Sequence, residues 1–148
     1  MSSSRRLLAV TSLATAVAAV MLVAAAIAAK PGAPVINEKF TPMQCTGEPS
    51  NRTLLQLLAC AEHQVLRTDK QVDSIAATVF SRLPSDAARR RFVVAARAWL
   101  SYRNADCASQ SDVFLGGTES SLTAADCMVA RDRTRAEDLR EFAVELLH

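Results

Sequence analysis

LACAEHQVLRTDKQVDSIAATV, residues 58–79, sets Leu58, Ala61, Val65, Thr68, Val72, Ile75 and Val79 at alternating steps of three and four. That spacing draws one face of an α-helix, close to a heptad. Charged Glu62, Arg67, Asp69, Lys70 and Asp73 fall between the face positions. Upstream, Ser50 follows Pro49 and reads as the N-cap of a helix expected over Asn51–Leu83. Unbroken, it would run about 50 Å at about 1.5 Å per residue, with Thr68 the place for a kink.

Working outward, Leu83-Pro84-Ser85 ends this helix, because a residue before proline is pushed out of helical geometry and Ser85 can cap the next helix. Ala88, Phe92, Ala95, Trp99 and Tyr102 then share a face, so the first two helices are expected to form an antiparallel hairpin. Periodicity lapses after Cys107. Ala108 to Thr118, with its serines, Asp112 and Gly116-Gly117, reads as a loop. A third helix starts near Ser120 or Ser121, with Met128, Leu139, Phe142, Ala143 and Leu146 inward. Arg131, Asp132, Arg133, Arg135, Glu137 and Asp138 alternate in sign, the pattern of a solvated face, and Arg133 and Glu137 are spaced for one surface pair. The expected fold is all-α, a small antiparallel bundle of about three helices with two disulfides, preceded by a signal peptide.

The N-terminal third is different in kind. Arg5 and Arg6 precede an apolar, alanine-rich run from Leu7 to Ala29, and Ala26-Ile27-Ala28 fits the small-x-small rule of a signal-peptidase site. Residues 1–28 therefore read as a signal peptide; left uncleaved, the same run is long enough to act as a membrane anchor. Residues 29–49 carry Pro31, Gly32, Pro34, Pro42 and Pro49 without helical period, an extended arm. Residues 50–148 form the helical domain. Removing the first 28 residues takes away two of 17 basic side chains and leaves 15 against 15 acidic. A neutral domain lacks the basic footprint a nucleic-acid partner requires.

Four cysteines, Cys45, Cys60, Cys107 and Cys127, all lie beyond the signal segment, as a disulfide framework of an exported chain should. Cys45 lies in the arm just before the helix bearing Cys60, and an arm folded back along its own helix joins them. Cys107 ends the second helix and Cys127 sits early in the third. Hence the favoured pairs are Cys45–Cys60 and Cys107–Cys127, with the alternative, Cys45–Cys107 and Cys60–Cys127, tying distant helices together.

The segment AWLSYRNADC, residues 98–107, is the most distinctive in the chain. Together with Gly116-Gly117, Cys127 and TRAEDL at Thr134–Leu139, it resembles the lysozyme inhibitor LprI-like N-terminal domain, a family of small exported or lipid-anchored bacterial helical proteins. The likeness spans Cys45 to Leu146. Where the family has a glutamine before the tryptophan, an aspartate after the arginine and a leucine–asparagine pair in the first helix, this chain has Ala96, Asn104 and Val72-Asp73. The resemblance implies an exported binding module, an inhibitor of lysozyme or another wall hydrolase. The alternative function is a non-catalytic envelope-interaction protein, in contact with membrane only if the N-terminal segment is retained.

Each singled-out residue also has a plain structural role. Trp99 belongs to the apolar face, and Arg103 is expected to pair with a carboxylate of a neighbouring helix. Gly116 and Gly117 supply backbone conformations for a turn, and the loop between Cys107 and Cys127 can present a fixed surface. Tyr102, Arg103, Gly116 and Gly117 are the candidate partner contacts. Arg89-Arg90-Arg91 reads as a solvated helix face. Cys60 and His63, with Cys45, have zinc-ligand spacing, but in an oxidising compartment the disulfide takes the sulfurs, so no metal or other cofactor is expected. His63 and His148 adjoin no nucleophile motif, and Asp132 with Glu137 or Asp138 does not make a glycosidase pair, so the reading is of a non-enzyme. N-terminal sequencing of exported protein is expected to begin at Ala29; a chain retaining Leu7–Ala29 would instead be tethered.

Overall fold

The computed structural model describes residues 30–147, and the signal-peptide reading of residues 1–28 lies outside them. Three long helices, α1 (Leu54–Arg82), α2 (Asp86–Ser111) and α3 (Gly117–Glu145), make the bundle, and no strand occurs among the described residues. Among them, too, no helix is long and apolar enough to cross a membrane.

The start of α1 differs from the sequence expectation. Pro49–Asn51 forms a short 3-10 turn, and Thr53, not Ser50, caps the helix. Thr53 accepts the Gln56 amide on its hydroxyl, while the Gln56 side chain accepts the Thr53 amide, a reciprocal capping box that satisfies two otherwise orphaned donors. Ser85 caps α2 by accepting the Ala88 amide, as expected. At its far end α2 continues beyond Cys107 to Ser111, and α3 begins at Gly117, so the segment read as a loop is mostly helical, with a 3-10 turn at Asp112–Phe114.

The inner face of α1 matches the periodic reading: Ala61, Val65, Thr68, Val72 and Val79 are buried. On α2 the face is rotated. Phe92, Arg103 and Cys107 are buried and Trp99 is half-buried, while Ala95 and Tyr102 point outward. α3 buries Ala125, Val129, Asp132, Ala136, Leu139 and Ala143. Asp132, assigned by its charged neighbours to solvent, is wholly inside, and the Arg133–Glu137 pair does not form. Arg131 pairs with Asp106 instead.

Helix α1 packs most closely on α3, and α2 also packs on α3. Alanines at 61, 76, 125, 136 and 143 line the first of these contacts, and small side chains let two helix axes approach. The two run parallel, with Thr68 level with Asp132 and Arg82 reaching the Ala143 carbonyl. Their apolar side chains form two separate clusters. One holds Val72, Ala76, Val79, Leu83, Phe92, Ala136, Leu139 and Ala143; the other holds Ala61, Val65, Ala125 and Val129. Between them, at Thr68, Asp69, Arg103 and Asp132, the buried layer is polar.

The antiparallel hairpin of α1 and α2 is bridged by side chains and by the arm. Pro34, Ile36, Glu38, Phe40 and Pro42 are half-buried while the residues between them are exposed, the period of two of an extended strand. Two extended residues advance about 6.7 Å and one helical turn about 5.4 Å, so alternate arm residues meet successive helix layers. Ile36 packs on the first cluster and Phe40 on the second. The Ile36 amide donates to Asp73 Oδ1 (2.9 Å), and His63 Nε2 donates to the Met43 carbonyl (3.0 Å). The arm thus runs antiparallel to α1 and takes the place of a fourth helix.

Both favoured disulfides are present, Cys45–Cys60 and Cys107–Cys127, with Cα separations of 4.5 and 5.5 Å. The Cys45–Cys60 bond fixes the arm at the end nearer α1's first turn. A Cys45→Ser/Cys60→Ser chain is expected to lose about 3 kcal/mol of stability in urea unfolding and to lose hydrogen-exchange protection at the Ile36 amide. Undiminished protection there would mean that side-chain contacts alone hold the arm.

Candidate functional site

Two features of the bundle could carry function: a buried charge layer and an apolar turn at one end. The layer is centred on Arg103, whose side chain is completely enclosed. Its Nη1 donates to Asp69 Oδ1 (2.6 Å) and to Asp132 Oδ1 (2.8 Å), its Nη2 donates to Glu38 Oε1, and its Nε to Asn104 Oδ1 (3.1 Å). Thr68 donates its hydroxyl to Asp132 Oδ2 (2.7 Å). The guanidinium carbon lies 5.6 Å from the centre of the Trp99 ring, within range of a cation–π contact. One cation therefore gathers carboxylates from α1, α3 and the arm.

The charge balance is lopsided, with three carboxylates on one guanidinium. Asp69 Oδ2 is buried without a hydrogen-bond partner. Burial first, and the charge of Asp132 second, push the Asp69 carboxyl up to about 7, against the opposing pull of Arg103. For Arg103, burial favours loss of the proton, but the bonds from Asp132 and Asp69 outweigh it and raise its pKa further. Asp73 is also raised, by burial, with the Ile36 amide working the other way. Arg103 is closed off from solvent in this arrangement, and the layer acts as an internal fastener between the helices and the arm.

Of the residues singled out as candidate contacts, the structure encloses Arg103 among its carboxylates and leaves Tyr102, Gly116 and Gly117 exposed. Tyr102 lies on the outer side of α2, ten residues before Asp112, about 15 Å along the helix at its normal rise. It is not brought to the glycine pair. Cys45 and Cys60 are joined, which leaves no sulfur ligand beside His63.

The feature that sequence reasoning passed over is Val113-Phe114-Leu115. Val113 is 77% exposed and Leu115 is 96% exposed, while Phe114 is exposed to a lesser degree, 41%. Leu115 has φ 53°, and Gly116 and Gly117 have φ 96° and 85°. A side chain added to either glycine would meet no atom within 4 Å, so the left-handed backbone, not space, is what calls for glycine there. The signal available was three consecutive apolar residues between a helix end and a glycine pair, a run with no helical face to bury it.

The base of this turn is cross-linked three times. The Cys107–Cys127 bond, the Arg131 Nε–Asp106 Oδ2 pair (2.8 Å) and the Ser120 hydroxyl donating to the Ser111 carbonyl (3.1 Å) all tie α2 to α3. Because α1 and α3 run parallel, the start of α1 lies at the same end of the bundle, and Leu54 and Leu55 are exposed there as well.

Fold and site together define a small, disulfide-stapled helical domain whose only charged cluster of depth is locked inside, among the described residues. A family model described as lysozyme inhibitor LprI matches residues 45–139, well over half of the chain, and the protein belongs to that family. The matched span takes in both disulfides, α1, α2 and most of α3, and begins at Cys45, near the end of the arm. No match was found among curated proteins or among solved structures.

The charge layer makes a signed prediction. The folded chain holds the Asp69 proton more tightly than an unfolded chain, so this contribution to stability is full below the ordinary value of 3.8 and is lost as pH rises through about 7. Urea midpoints measured from about pH 5 to 8 should fall with pH, and Asp69→Asn should flatten that slope. An unchanged slope in Asp69→Asn would place the proton elsewhere in the layer. Arg103→Met, which leaves three carboxylates facing one another, should cost about 3–5 kcal/mol in the same measurement at pH 8.

Proposed function

We propose that this chain is an exported, non-catalytic inhibitor of lysozyme or a related cell-wall hydrolase, and that it docks through the α2–α3 turn. The observation that carries the docking assignment is the apolar tip Val113-Phe114-Leu115, held out in solvent above three cross-links. An exposed apolar group costs the free protein solubility and contributes nothing to its core, which is the usual mark of a surface completed by a partner. Rigidity at the base means that little conformational freedom is lost on binding. A hydrolase that accepts a polymer chain has an open groove, and a narrow protruding turn has the shape to block it.

Family membership supports the partner class, and the two disulfides suit an oxidising compartment outside the cytoplasm. Export itself rests on residues 1–28, with Arg5-Arg6, the apolar run and Ala26-Ile27-Ala28. The equal numbers of acidic and basic residues after Ala28 imply that capture depends on shape more than on long-range attraction.

The test is a titration of oxidised mature protein against lysozyme clearing a suspension of bacterial walls. Saturable inhibition is expected, with weak dependence on salt. Leu115→Asp should weaken it by at least about tenfold, the equivalent of about 1.4 kcal/mol, without changing the helical circular dichroism. Inhibition untouched by Leu115→Asp would move the contact surface away from the turn. No inhibition at large excess would leave the fold without this activity and favour a role in contacts within the envelope.

A further inference from the structure

A second feature, on the other side of the polar layer from the turn, has no part in that reading. Between the arm and the helices lies a small, half-open cleft. Pro34 and Ile36 close it on the arm side, Val72 and Ala76 on α1, Phe92 and Trp99 on α2. Its exposed lining is almost wholly apolar. Ala96 is the small residue on α2 that leaves this space open.

The charge lining the cleft is net positive, two arginines against the single acid Asp73. Arg97 and Arg135 line it. Arg135 is half-buried, with its guanidinium carbon 5.6 Å from the Trp99 ring centre, and it forms no ion pair among the described residues. Asp138, further along α3, acts on it only at longer range. The acid in the lining, Asp73, accepts the Ile36 amide on Oδ1 and pairs with neither arginine. A guanidinium withdrawn from water without a carboxylate is a cost to the free protein, and a bound anion would remove it. Apolar walls next to an uncompensated cation fit one kind of ligand, an aliphatic tail ending in an anionic head.

We infer that this cleft binds a single-chain anionic amphiphile of the fatty-acid type, its tail against Ile36, Val72 and Phe92 and its head on Arg135. The site is independent of the hydrolase-binding turn. Each can fail without the other.

Trp99 is the sole tryptophan of the chain and lines the cleft, so its fluorescence reports on occupancy directly. The probe is octanoate, used below its micelle concentration, with octyltrimethylammonium as the cation of equal tail length. Octanoate should shift the Trp99 emission saturably, and the cation should not. Ala96→Leu, which fills the cleft, should abolish the shift, and Arg135→Gln should weaken octanoate by at least about tenfold. Calorimetry on the same variants separates binding from a changed baseline emission, and circular dichroism checks that they fold. Absence of a saturable shift, equal binding of the cation, or an Ala96→Leu chain that binds as the parent does would each overturn the proposal.

Discussion

Everything in this domain is arranged around a single guanidinium. Arg103 is fully enclosed, and enclosing a cation is costly unless its donors meet acceptors and its charge meets charge. The chain solves this from four directions, with Asp69 on α1, Asp132 on α3, Glu38 on the arm and Asn104 beside it on α2. A directional network of this kind fixes register in a way apolar packing does not. Were α3 to slide by one turn against α1, Val129 or Ala136 would face Thr68, and Arg103 would lose a carboxylate to hydrocarbon. The two apolar clusters supply burial, and the layer between them specifies which residues of each helix share a level.

The sequence displayed the apolar skeleton well and the polar layer poorly, for one physical reason. Apolar periodicity reports burial only when the buried residues are apolar. Val65, Val72 and Val79 announce the inner face of α1, whereas Asp69 and Asp132 sit inside yet look like members of solvated stretches. On α2 the apolar count pointed to Ala95 and Tyr102, but the face is set by Arg103 and Cys107, so the true orientation is turned toward a charge. Pairing of the cysteines was legible because it depends on chain proximity. The arm's fold-back at Cys45 was legible with that pairing, but the seating of its earlier residues was not, since an alternation of Pro34, Ile36, Glu38 and Phe40 mixes a charge into its inward side. In the same way Val113-Phe114-Leu115 was hidden among serines and glycines, where loop composition argued for an ordinary polar connection.

Stability and recognition are separated along the length of the bundle. The turn that carries the proposed docking function is fastened by a disulfide, an ion pair and a hydrogen bond of its own, all within one end. Changes at its tip therefore have little leverage on the charge layer, and a titration of Asp69 reaches the tip only through α2 and α3 as rigid elements. A small domain gains from such partition, because apolar residues given to a partner are withdrawn from a core that is already modest.

The arm has a consequence for the order of assembly. Glu38 precedes Arg103 by 65 residues, so its contact closes one of the longest loops in the domain. Chain growth from the N-terminus presents the arm first and its docking site last. Until α2 and α3 exist, Ile36 and Phe40 have only part of their groove. The Cys45–Cys60 bond spans 15 residues and needs only the arm and the beginning of α1. Once made, it holds the arm alongside α1 and shortens the path that loop closure must span, lowering the entropy still to be lost. A segment that would otherwise be loose becomes an extended stretch waiting in place, and the helices complete themselves against it.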